Sequence, residues 1–108
     1  MSEYDLHSLF GAIQSKKTKE ILTTFVDAPL PDKRSFIVSR STFAGSGSHV
    51  QHYLGENTRT WKDMQFSISG VMNFNMYGIP MSGPATCGYF EDTTMENLEQ
   101  RELCARWI

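Results

Sequence analysis

The sequence predicts a parallel α/β fold, and it predicts only a slice of one. Three observations lead there. Phe36-Ile-Val-Ser39 is short, apolar and β-branched, as a buried parallel strand should be, and it ends on a charge at Arg40. Ile79-Pro-Met81 is a second short apolar run, weakened as a strand by its proline. Helical periodicity lies before, between and after these two runs, and helix alternating with strand signals parallel architecture.

The elements follow in order. Leu6, Leu9, Phe10, Ile13, Ile21 and Leu22 recur at three- and four-residue steps, which predicts an amphipathic helix over residues 5–24. Asp5 is its expected N-cap, and Lys16, Lys17 and Lys19 are its wet side. Asp27, Pro29, Pro31 and Asp32 break the chain into a loop. After the strand at 36–39, Gly45–Ser48 reads as loop. A second helix starts at a Thr58 or Thr60 cap, with Asp63 in its first turn and Trp61, Met64, Ile68, Val71, Met72 and Met76 as its apolar stripe. Gly78 is its stop. Trp61 and the methionines are expected in the core. Residues 91–100 are polar and acidic and read as a surface insertion, and Glu102 to Ile108 begins a further helix.

With 108 residues the chain is one domain at most, or a piece of a larger one. Two parallel strands with both flanks open are not a stable unit, so the piece is the expectation. Hydrophobic residues at 40% and charged residues at 20% describe a globular sequence. A net charge of −2 gives no electrostatic footprint for nucleic acid. No apolar run approaches the length of a membrane span. The opening Met-Ser-Glu-Tyr-Asp-Leu has no basic region followed by an apolar one, and Asn-x-Ser/Thr does not occur, so the chain as written is expected to stay in the cytosol. Its two cysteines, Cys87 and Cys104, define no disulfide framework and read as free buried thiols.

Chemistry concentrates after the first strand. Arg40 stands where a barrel-type strand delivers polar groups to a functional face. It reads either as a surface ion pair or as a fork for a carboxylate or a substrate hydroxyl. His49 and His52 follow glycines and have no third ligand nearby, so no metal site is expected and His52 reads as a hydrogen-bonding loop histidine. Ala44-Gly-Ser-Gly-Ser48 lacks the Gly-Lys-Ser/Thr of a phosphate cradle. Glu56, beside Tyr53 and Gly55, reads either as a solvated loop acid or as a general acid.

Several runs together resemble one family. They are Tyr4-Asp-Leu-His-Ser-Leu-Phe-Gly11, Ser39-Arg-Ser-Thr-Phe-Ala-Gly45, His52-Tyr-Leu-Gly-Glu-Asn57 with Trp61, Asn73-Phe-Asn-Met-Tyr-Gly-Ile-Pro-Met81, Cys87-Gly88 and Glu102-Leu-Cys-Ala-Arg-Trp107. In this order they resemble glycoside hydrolase family 31, the retaining α-glucosidases. The resemblance implies a partial (β/α)8 TIM barrel, from about the helix after strand four through the start of the helix after strand six. Residues 1–108 would then be an incomplete catalytic barrel segment.

It also implies hydrolysis of terminal α-linked glucose from oligosaccharides with retention, with no cofactor. One aspartate attacks the anomeric carbon, and another protonates the leaving oxygen and later activates water. Arg40 falls on the arginine that meets substrate hydroxyls, and Glu56 on the acid/base. Tyr53 falls on a sugar-contacting tryptophan and Tyr89 on a nearby aromatic. His52 joins Arg40 and Tyr53 as a contact to an α-glucoside, the implied ligand. Cys87 and Cys104 match a family disulfide pair.

The departures from the family pattern are specific. Glu56 replaces an aspartate and is one methylene longer. Ala85, in Gly83-Pro-Ala-Thr-Cys-Gly88, replaces an active-site carboxylate, and extra residues separate the two cysteines. The Trp-x-Asp-Met-Asn-Glu strand that bears the nucleophile is not among these residues. The isolated chain is therefore expected to be inactive. The alternative is a non-catalytic carbohydrate-binding or interaction module that associates through open strand edges. Members of the family are usually lysosomal, in the endoplasmic reticulum, or secreted.

Overall fold

The computed structural model describes residues 2–24 and 35–108, so the expected loop at Asp27–Asp32 lies outside the described residues. Helices α1 (Glu3–Leu6) and α2 (Phe10–Thr24) lead into β1 (Val38–Ser39). A 3-10 turn (Ser46–Ser48), β2 (Gln51–Tyr53), α3 (Trp61–Met76), β3 (Ser82–Gly83) and α4 (Asn97–Trp107) follow. The three strands form one parallel sheet in the order β1-β2-β3, with Val38 opposite Gln51 and His52 opposite Ser82.

Three strands replace the expected two. Gln51-His52-Tyr53 is β2 and not loop, because its amides find partners on both sides. Gln51 N–H donates to the Ile37 carbonyl and His52 N–H to the Met81 carbonyl, each at 2.9 Å. The third strand starts at Ser82, just beyond the expected Ile79–Met81, since Pro80 has no N–H to give a ladder. The described sheet therefore holds one strand more than the sequence led us to expect.

The first helix is two. The Asp5 carboxylate accepts from Ser2 N–H at 3.1 Å and from Ser2 Oγ at 2.8 Å. Ser2 is therefore the cap, and Asp5 is its partner three residues on. Residue 15 of α2, a serine, is the buried one, whereas Phe10, Ile13, Ile21 and Leu22 are exposed. The close approach of Gly11 fixes that orientation, since a Cβ there would stand 2.5 Å from Ser41 Cβ. Lys19 is half-buried, and its Nζ donates to the Ser48 carbonyl at 2.6 Å in an exposed bond that ties α2 to the 3-10 turn.

Helix α3 starts and stops where the sequence says. Thr60 Oγ1 accepts from Asp63 N–H at 3.1 Å. At the other end Gly78 takes φ 80, Gly78 N–H reaches the Asn75 carbonyl and Ile79 N–H the Phe74 carbonyl, which is a Schellman ending. The buried face differs from the expected stripe. Phe74 stacks on His52, and a Cβ on Gly70 would stand 3.1 Å from Leu54 Cδ1, so the sheet meets the Gly70–Phe74 side. Ile68, Met72 and Met76 lie exposed, as does Met81, so these methionines are not core. Helix α4 begins at Asn97, inside the expected insertion, and its Leu103 is fully buried. Cys87 and Cys104 are joined as a disulfide with Cα atoms 4.6 Å apart, so they are not free thiols. Hydrophobic side chains buried among the described residues are Val50, Ile79 and Leu103.

Candidate functional site

Parallel pairing sends the carboxyl ends of all three strands to one side of the sheet, where loops carry the chemistry of α/β proteins. Arg40 leaves β1 there, Glu56 and Asn57 leave β2, and Ala85 leaves β3. The structure brings the first two together: Arg40 Nη1 donates to Glu56 Oε2 at 2.7 Å. Gly55 makes the approach possible. Its φ of 118 suits glycine, and a Cβ there would stand 2.9 Å from the Arg40 guanidinium. Both side chains remain reachable by solvent.

A cleft of about 330 Å³ holds the pair, lined also by Asn57, Asp63, Phe66 and Ser67. That is near the lower bound for a small-molecule site. A larger open hollow of about 1250 Å³ lies between α2 and β1, and Glu56 does not line it. Chemistry, not size, selects the smaller cleft. Its other acid, Asp63, is engaged, accepting from Thr58 N–H at 2.6 Å.

His52 occupies a different setting. It is 8% exposed, its ring stacks on Phe74 with centroids 3.7 Å apart, and its Nδ1 is 2.9 Å from Thr42 Oγ1. Burial, and then the nearby positive charge of Arg40, holds its pKa below the usual histidine value. Strand alternation puts Tyr53 on the opposite face of the sheet from His52. Tyr89 is exposed and meets Phe90 edge to face, centroids 4.9 Å apart.

Two residues that sequence reasoning gave no role hold the loops together. Asn57 takes Ala85 N–H on its Oδ1 at 3.0 Å and Tyr89 N–H on its carbonyl at 2.7 Å. Its place next to Glu56 in the quoted run was a signal. Arg59 donates Nε to the Cys87 carbonyl at 3.1 Å and Nη1 to Gln100 Oε1 at 3.0 Å. No local spacing announces that arginine.

Comparison with known proteins assigns the chain to a family. Residues 1–108, the whole chain, match the glycosyl hydrolases family 31 TIM-barrel domain. The chain belongs to glycoside hydrolase family 31. Intestinal sucrase-isomaltase of Rattus norvegicus is 43% identical over 106 residues, covering 98% of this chain and 5% of that protein. Lysosomal acid alpha-glucosidase of Tetrahymena pyriformis is 42% identical over 108 residues, covering all of this chain and 10% of that one. Alpha-xylosidase 1 of Arabidopsis thaliana is 42% identical over 106 residues. Among solved structures, the alpha subunit of glucosidase II in its alpha3-Glc2-bound form superposes with a TM-score of 0.82 at 28% identity, covering 97% of this chain and 10% of that one. This family 31 chain therefore spans a twentieth to a tenth of the length of these relatives. Among its described residues no helix is long and apolar enough to cross a membrane.

Proposed function

We propose that residues 1–108 form an arc of the catalytic (β/α)8 barrel of a retaining α-glucosidase, with β1, β2 and β3 as its fifth, sixth and seventh strands. The contact between Arg40 and Glu56 at the strand ends carries this reading. It joins the residue that falls on the hydroxyl-binding arginine to the residue that falls on the acid/base. In the reaction, Glu56 gives a proton to the glycosidic oxygen as the carbon–oxygen bond breaks, then takes one from water in the second step. Arg40 donates to substrate hydroxyls, and Tyr53 and Tyr89 supply aromatic faces to the sugar. His52 lines the hollow beside β1 together with Arg40, and its ring and Nδ1 are held there by Phe74 and Thr42. The ligand is an α-glucoside oligosaccharide.

Retention needs a second carboxylate about 5 Å from the first. Asp63, the other acid of the cleft, is bound to main chain, so these residues alone do not complete a double displacement. The purified chain should release no chromophore from an aryl α-glucoside. The roles are tested by replacing the matching segment of a full-length family 31 α-glucosidase with this one. The chimera should lose about a hundredfold in kcat for a carboxylate displaced by roughly 1 Å. Glu56→Asp should recover part of that loss and Glu56→Gln should remove the remainder. A chimera indifferent to both substitutions overturns the assignment of Glu56.

A further inference from the structure

We propose that Arg59 is a positioning residue for the Tyr89–Phe90 ring pair, acting through the Cys87 main chain and the Gln100 side chain. Arg59 lies between the end of β2 and the cap of α3. Its N–H donates to the Phe90 carbonyl at 2.8 Å and its Nε to the Cys87 carbonyl at 3.1 Å. Nη1 donates to Gln100 Oε1 at 3.0 Å, and Gln100 Nε2 in turn reaches the Met95 carbonyl at 3.0 Å and the Asp92 carbonyl at 3.2 Å. One guanidinium thus joins the loop after β2, the loop after β3 and helix α4.

The arrangement is a clamp on main chain and not an ion pair. The Arg59 side chain is 25% exposed, while the nearest carboxylate, Glu91, is 72% exposed and 3.6 Å away. That separation is too long for a hydrogen bond, and solvent screens the charge. The directed bonds go to neutral oxygens in two directions, which suits a planar fork; a lysine point charge cannot reproduce them.

The clamped backbone is one that needs holding. Cys87 at φ 68 and Gly88 at φ 87 are consecutive left-handed residues, and the first of them carries a side chain. Directly after them, Tyr89 N–H meets the Asn57 carbonyl, beside Glu56. The two rings meet each other edge to face and are otherwise open to solvent, 62% and 54% exposed. Their direction is therefore set by the backbone beneath them, and Arg59 holds that backbone. What the rings are for rests on the sugar-pocket reading; the clamp does not.

The test labels the purified chain with 3-fluorotyrosine, assigns the Tyr89 line by Tyr89→Phe, and reads 19F spectra with amide exchange. In the native chain the Tyr89 line should lie away from the free amino acid, displaced by the Phe90 ring. In Arg59→Lys it should collapse toward the free position while the Tyr53 and Tyr77 lines stay. Exchange at the Tyr89 and Phe90 amides should rise about tenfold. If Arg59→Lys does not fold, Gln100→Leu carries the same expectation. A Tyr89 line unmoved by the substitution, one already at the free position in the native chain, or equal collapse of every tyrosine line overturns the proposal. Turnover enters none of these readouts, so a failed clamp and a failed glucosidase reading are separate results.

Discussion

Arg40 Nη1 and Glu56 Oε2 lie 2.7 Å apart, although the two residues leave different strands and are separated by 16 positions. Each is the other's hydrogen-bond partner. The pair is an exposed one, with 61% and 42% of the side chains open to water, so its contribution to stability is at most about 1 kcal/mol. A shorter aspartate at the same place draws the carboxylate back from Arg40. Glu56→Asp should therefore shift the thermal midpoint little, while the Arg40 guanidinium proton signals move toward the values of a free arginine. A loss of several degrees would mean that the ion pair holds the loops and is not a poised pair of functional groups.

Acid should loosen the junction between β2 and α3. His52 has a pKa below that of an unfolded histidine, first through burial and then through Arg40. The unfolded chain therefore takes up a proton before the folded one does. Stability is complete above the unfolded value of about 6.5 and falls as pH drops through it toward the folded value. Thermal midpoints recorded from pH 7.5 down to 5 should decline, and His52→Gln should flatten that decline. An identical slope in the variant would assign the pH dependence to other groups.

What the sequence could reveal depended on how local the cause was. The start of α3 at Thr60, its stop at Gly78 and the delivery of Arg40 at a strand end are each written within a few residues of the feature, and all were legible. Strand β2 was not, because Gln51, His52 and Tyr53 have no apolar β-branched signature. They become a strand only by pairing with Ile37 and Met81, which lie far away in sequence. The buried faces of α2 and α3 were misplaced for a related reason. Periodicity shows that a helix has an apolar side, but the close approaches at Gly11 and Gly70 decide which side meets the sheet. Arg59 was invisible because its partner Gln100 is 41 positions on. Within the site, the position of Arg40 allowed an ion pair without naming a partner, and neither its meeting with Glu56 nor the separate setting of His52 was written in the sequence.

Reduction of the Cys87–Cys104 bond should weaken the far end of the chain more than the sheet. The bond closes a stretch of 17 residues that contains the Tyr89 loop and the start of α4. Chain entropy assigns about 3 kcal/mol to a loop of that size. Amide exchange in α4 and in residues 88–96 should accelerate under a dithiol reductant, and Cys104→Ser should reproduce the effect without it. Protection at Gln51–Tyr53 should persist, since β2 is bonded to β1 and β3 and not to α4. Uniform loss of protection would show the disulfide to be a global staple.

Two glycines with similar φ should respond differently to alanine. Gly78 has φ 80 and open space where a Cβ would stand, so Gly78→Ala meets only the intrinsic penalty of a left-handed residue, about 1 kcal/mol. Gly88 has φ 87, but a Cβ there would sit 2.5 Å from Arg59 Cα and 2.6 Å from Arg59 N. Neither atom belongs to a flexible side chain, so the two loops must separate. Separation breaks the Arg59 N–H bond to Phe90 and the Arg59 Nε bond to Cys87 as well. Gly88→Ala should cost several kcal/mol on this ground, well beyond Gly78→Ala, and should expose the Phe90 region to exchange. Equal midpoint losses for the two variants would show that the contact between the loops at Gly88 and Arg59 contributes nothing beyond the φ angle.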